Sequence, residues 1–104
     1  MEKNNNRLLY FVLICNPKHK NKLYTLLQDN GAKTINTISA RGSAPQSAIL
    51  QAFGLEASNK KYIFTTLLPL EVATNLIEIL KNEYNFNKPN TGIAFTVPVQ
   101  GLLF

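Results

Sequence analysis

An unbroken apolar run, Leu8 to Cys15, stands near the start of the chain between polar flanks. Leu8, Tyr10, Val12 and Ile14 alternate with Leu9, Phe11, Leu13 and Cys15, so a strand here is apolar on both faces and needs cover on both. The run is too short to cross a bilayer. Asn16-Pro17 follows with no small-residue cleavage site, so the run reads as a buried strand and not as a secretory signal. Asn16 suits a helix N-cap and Pro17 the first helical position. Leu23, Leu26 and Leu27 supply a buried stripe, and Gly31 stands where a helix end favours a left-handed residue. The spacing predicts a helix of about 14 residues, roughly 21 Å long, which matches a six-residue strand of about 20 Å in a β-α-β crossover.

A second strand is expected over Lys33 to Ala40, ended by Arg41-Gly42. Ser43 and Gln46 have capping-box spacing, and Ile49, Ala52 and Phe53 recur at helical intervals before Gly54. A short helix is therefore expected where a hairpin needs only a turn. Lys61 to Leu68 is a third strand, again apolar on both faces. Pro69 then opens a second long helix with Ala73, Leu76, Ile77, Leu80 and Tyr84 as its core stripe. Glu71 near its start and Lys81 near its end complement the helix dipole. The polar turn Asn87 to Thr91 leads into a fourth strand, Gly92 to Val99, in which Ile93, Phe95 and Val97 share one face. Pro98 suits an edge strand or a strand end, and Gly92 permits either a positive φ or the close approach of another backbone.

The order β-α-β-(short α)-β-α-β predicts an α+β fold: a single ferredoxin-like plait (βαββαβ) over residues 1–104, with an extra helix between strands two and three. Two helices cover only one face of a four-stranded sheet. The other face, apolar along strands one and three, needs another cover, and further copies of the chain are the expected one.

Composition narrows the chemistry. The chain has 104 residues and a net charge of +5, which admits anionic partners without requiring them. One cysteine, Cys15, excludes an intramolecular disulfide and fits a reducing, cytoplasmic setting. His19 is the only histidine and has no cysteine or carboxylate at metal-ligand spacing. The carboxylates Glu2, Asp29, Glu56, Glu71, Glu78 and Glu83 form no buried pair of the kind acid–base catalysis uses, and no nucleophile or phosphate-loop motif occurs. No enzymatic role and no cofactor are expected. Lys18, Lys20 and Lys22 cluster around His19 against the helix dipole; solvated lysines account for them, while a bound anion or acidic partner would offset the cost. Tyr10, Phe11, Tyr62 and Phe64 raise the alternative of an RNA-binding plait that stacks bases on its central strands. Lys61-Tyr62-Ile63-Phe64 lacks the glycine of that motif, and the surrounding face is aliphatic.

Ala40-Arg41-Gly42 after strand two, together with the run K-P-N-T-G-I-A-F-T-V-P-V at Lys88–Val99, resembles the PII-like nitrogen-regulatory family over most of the chain. The resemblance implies a homotrimer with open sheet faces turned inward and adenine nucleotide (ADP, AMP or ATP) as effector between subunits. It implies a loop after strand two that regulates a partner protein, a transporter or an enzyme, in nitrogen metabolism or transport, without membrane insertion or nucleic acid. By position it places ligand contacts at Arg41, Gly42 and Ser43 at the loop base, and at Lys88, Asn90, Thr91 and Gly92 in the turn before strand four. The chain departs from the family pattern in having no tyrosine between Ala40 and Lys60, Ile93 in place of the lysine after the turn glycine, and no basic residues in its closing Gln100–Phe104. Losing cations worth about 1.5–3 kcal/mol each in charge-assisted hydrogen bonds favours a less charged nucleotide over the triphosphate. A purely structural trimer of the copper-tolerance type is the second alternative.

Overall fold

The computed structural model describes residues 7–40, 60–88 and 91–100. In chain order these form β1 (Leu8–Cys15), a 3-10 turn (Pro17–His19), α1 (Lys20–Asp29), β2 (Asn36–Ala40), β3 (Lys61–Pro69), α2 (Leu70–Glu83) and β4 (Gly92–Pro98). The sheet order is β2-β3-β1-β4 with every neighbouring pair antiparallel. This is the expected plait, and no helix among the described residues is long and apolar enough to cross a membrane. The short helix expected within Ser43–Phe53 lies outside the described residues.

Several element ends differ from expectation, each for a local reason. Asn16 precedes the first helical segment in an extended conformation, but it caps by its backbone: its carbonyl accepts from the His19 N–H at 3.0 Å and its side chain makes no cap bond. The first turn is consequently 3-10, and α1 begins only at Lys20. Gly31 is left-handed, φ 101°, as anticipated, and the next N–H, that of Ala32, returns to the Leu27 carbonyl at 3.0 Å. β2 starts at Asn36 instead of Lys33. The Thr34 carbonyl thus lies outside the ladder, and the buried Thr66 hydroxyl donates to it at 2.6 Å. Thr66→Val keeps the shape and orphans that carbonyl, so it should lower stability by about 1–2 kcal/mol, read as a drop in Tm; an unchanged Tm would mean water replaces the bond at no cost. Pro69 ends β3 and flanks α2 as its N-cap residue, one position before the first helical residue, and the Leu70 N–H donates to the Arg7 carbonyl at 2.9 Å. β4 stops at Pro98, one residue early, on an edge strand where the missing N–H breaks no ladder.

The helices pack on one face of the sheet. Leu9, Phe11, Leu13 and Cys15 of β1 and Phe64 and Leu68 of β3 meet Leu23 and Leu27 of α1 and Ala73, Leu76 and Leu80 of α2, all buried. Leu26, Ile77 and Tyr84, expected in the helix stripes, pack at the margin of this core. Tyr24 meets Phe64 edge-on, ring centres 5.7 Å apart. Each fully buried large side chain contributes about 1.5–3 kcal/mol by transfer from water.

The opposite face is apolar too. The register sets Ile38, Ile63, Ile14 and Ile93 side by side across all four strands, with Thr65, Val12 and Phe95 in the next row and Leu67, Tyr10 and Val97 in the one beyond. Val12 and Ile14 are buried among these neighbours, while Tyr10, Ile38, Leu67 and Val97 remain 40–46% exposed.

Candidate functional site

The turn before β4 is built around one close approach. Gly92 pairs with Cys15 across the β1–β4 ladder and lies under the Phe86 ring. A Cβ at Gly92 would stand 2.6 Å from Phe86 Cζ and 2.8 Å from the Ile14 carbonyl oxygen. Of the two reasons for a glycine here, close approach is therefore the operative one; Gly31 is the described glycine with positive φ. Phe86 is set in place by its N–H, which donates to the Leu80 carbonyl at 3.0 Å beyond the end of α2. The left-handed Asn85, φ 61°, turns the chain, and the Lys88 N–H closes onto its carbonyl at 3.0 Å. Ile77, Lys81, Phe86, Asn87, Gly92, Ile93 and Ala94 line a small groove of about 230 Å³ beside this turn. Among the predicted ligand residues, Lys88 is exposed, Thr91 half-buried and Gly92 buried. Arg41, Gly42, Ser43 and Asn90 lie outside the described residues.

Topology places the end of β2 and the turn before β4 relative to one another. β2 ends at Ala40 opposite Lys61, and Tyr62, Cys15 and Gly92 continue that end of the sheet across β3, β1 and β4. The end of β2, which leads into Arg41, and the start of β4 thus share one end of the sheet. They occupy its two opposite edges, three strand spacings or about 14 Å apart.

A larger groove, about 450 Å³, lies near the other end of the β2–β3 edge, lined by Tyr10, Gly31, Lys33, Thr34, Asn36, Thr66, Leu67 and Pro69. Sequence reasoning missed it because it extended β2 back to Lys33. With β2 starting at Asn36, Gly31, Lys33 and Thr34 lie outside the β2–β3 ladder and line the space. The run Lys33-Thr34, which breaks the apolar alternation after Gly31, was the available signal.

The aromatic residues weighed for RNA stacking do not share a face. Phe11 and Phe64 are fully buried beneath the helices, and Tyr62 packs on that same side; Tyr10 alone is exposed on the open face. Tyr62 instead carries cations: Lys20 Nζ is 4.6 Å and Lys60 Nζ 5.0 Å from its ring centre. Its phenol is held below the usual tyrosine range, first by a hydrogen bond from Lys60 and then by the charges of Lys60 and Lys20, with desolvation opposing. Burial pushes the Cys15 thiol up to about 11, so it stays protonated and unreactive near neutral pH. His19 sits in the 3-10 turn, and no cluster of metal-ligating side chains occurs among the described residues.

No protein-family pattern and no curated protein matches the sequence. Solved structures do resemble the fold. A PII-like signalling protein of Thermus thermophilus is 20% identical with a TM-score of 0.64, over 89% of this chain and 86% of that one. The apo form of CPII, a nitrogen regulatory PII-like protein of Thiomonas intermedia, is 16% identical with a TM-score of 0.67 over 89% of each chain. The same CPII bound to ADP, AMP and bicarbonate aligns over 94% of this chain and 97% of its own, at 20% identity and a TM-score of 0.60. At these identities the likeness is one of fold, and that fold is the one found in PII-like signalling proteins.

Proposed function

We propose that the chain is one subunit of a homotrimeric PII-like signalling protein that senses an adenine nucleotide between copies. The segment after β2 would convey occupancy to a partner protein, a transporter or an enzyme. The supporting observation is that the end of β2, which leads into Arg41, and the start of β4 lie at opposite edges of one sheet. Within a single copy the two stand too far apart to grip one phosphate group, whereas an edge-to-edge neighbour brings the β2 end of one copy against the β4 turn of the next. The apolar open face supplies the driving force for such an assembly.

The groove beside Asn36 supports a nucleotide specifically. Tyr10 and Leu67 offer apolar walls for a flat base and the Asn36 amide offers both a donor and an acceptor. From Asn36 to Ala40 the strand rises about 13 Å, enough to carry a nucleoside's phosphates to Arg41 at the loop base. Fewer cations than a triphosphate needs favour ADP or AMP, and CPII carries both in its bound form. The reading entails a regulatory protein without catalytic activity, working in the cytoplasm and, as in CPII, in nitrogen regulation. Ligand acts by binding one conformation of the partner-facing segment better than another, since equal affinity for both shifts nothing.

Calorimetric titration with ADP, AMP and ATP tests this reading. Saturable binding of ADP or AMP is expected, weakened at least about tenfold by Arg41→Ala with the oligomer intact. Unchanged affinity in the variant removes Arg41 from the site. An oligomer that binds none of the three is the structural trimer instead.

A further inference from the structure

On the helix side of the sheet, at the end where β2 leads into Arg41, the start of α1 carries a second feature. The first turns of the 3-10 segment and of α1 contain no acidic residue, yet they hold Lys18, Lys20 and Lys22 at the positive end of the helix dipole. Lys60, the residue before β3, joins them. Three of these ammonium groups are seated on aromatic rings: Lys20 and Lys60 on Tyr62, and Lys22 over Tyr84 at 5.7 Å. No described carboxylate pairs with them. Asp29 lines a groove with Lys22 and Tyr84 from the end of α1, Glu71 lies at the start of α2, Glu78 accepts from the Asn82 amide at 3.5 Å, and Glu83 closes α2 exposed beside Tyr84.

We propose that this lysine face, Lys20, Lys22 and Lys60 held over Tyr62 and Tyr84 with Lys18 beside them, is a docking surface for an acidic, Asp/Glu-rich segment of a partner protein. Lysines at a helix start oppose its dipole, and a row of carboxylates offsets that cost on arrival. Seating the ammonium groups on rings restricts them before binding, so less side-chain entropy is lost on contact. The same seating decides between polyanions. Single-stranded nucleic acid draws much of its affinity from bases stacked on bare aromatic faces, and here Tyr62 and Tyr84 have their faces occupied by lysine. Lysines are compact, strongly hydrated point charges without arginine's fork, so capture by them is transient and salt-sensitive.

The test uses the full chain without nucleotide, so that its outcome is separate from that of the effector reading. Fluorescence anisotropy of a labelled glutamate-only peptide is followed at low salt and again at physiological ionic strength, where surface contacts weaken. Lys20→Gln, Lys22→Gln and Lys60→Gln should each weaken binding about threefold and the triple variant at least about tenfold. Arg7→Gln, an exposed cation at the other end of β1 from Tyr62, should leave binding unchanged, and circular dichroism should show all variants folded. Absence of saturable binding, an equal loss in Arg7→Gln, or tighter binding of a labelled oligothymidylate of the same length would each overturn the proposal.

Discussion

Gly92→Ala is expected to destabilise the protein by about 2–3 kcal/mol, the upper range for overpacking a close-packed site. The added methyl meets two different obstacles. The Phe86 ring atoms, at 2.6 and 2.7 Å, belong to a side chain that has some room to rotate. The Ile14 carbonyl, at 2.8 Å, is backbone of the central strand and is fixed by pairing on both sides. Relief therefore has to come from β4 moving away from β1 or from Phe86 leaving its place. Phe86→Leu in the same chain should recover part of the loss and not all of it, because the carbonyl contact remains. Denaturant unfolding of the single and double variants measures both effects, and a full recovery would show that the ring alone demanded the glycine. Because Lys88 and Thr91 sit on the turn that Phe86 anchors, nucleotide affinity should fall in parallel with stability.

Leu67→Glu is expected to dissociate the proposed trimer into folded monomers. Leu67 is 46% exposed on the open face, in the row with Tyr10 and Val97, so a carboxylate there remains solvated in a single copy and the fold survives. In an assembly that turns this face inward, each copy brings one buried, unpaired carboxylate towards its neighbours. Such a charge costs about 3–5 kcal/mol, which weakens association more than about 100-fold. Sedimentation equilibrium at micromolar concentration, with circular dichroism as a check of fold, reads the result. A chain that is monomeric before substitution, or a trimer indifferent to it, removes the inward-facing sheet and with it the inter-subunit cleft.

Much of the architecture was legible in residue pattern because it depends on local periodicity. The apolar run Leu8–Cys15 could only be a strand covered on two sides. The stripes Leu23–Leu27 and Ala73–Leu80 read as helices facing one core, and Gly31 as the left-handed residue at a helix end. Element ends were less legible. Pro69 suits either an N-cap or a first helical position, and the choice fell to the Leu70 N–H, which finds the Arg7 carbonyl far earlier in the chain. β2 likewise contracted to Asn36, where the ladder with β3 begins, and Thr66 took the carbonyl left behind.

The candidate site was legible as residue types and illegible as geometry. Nothing in N-K-P-N-T-G distinguishes a glycine required by φ from one required by a ring and a carbonyl, since both constraints leave the same letter. Nor does alternation reveal which aromatic residues share a face until the register is known. Pairing Cys15 with Tyr62 sent Tyr62 to the helix side, into reach of Lys20, and removed the stacking platform that an RNA-binding plait needs. Hydrophobic periodicity, a property of neighbours along the chain, by itself determined the order of elements, the identity of the core and the need to cover a second apolar face. Only the tertiary structure decided that the end of β2 and the start of β4 stand at opposite edges of the sheet and that three lysines rest on two tyrosine rings. Those relations join residues distant in sequence, and strand order and register bring them together.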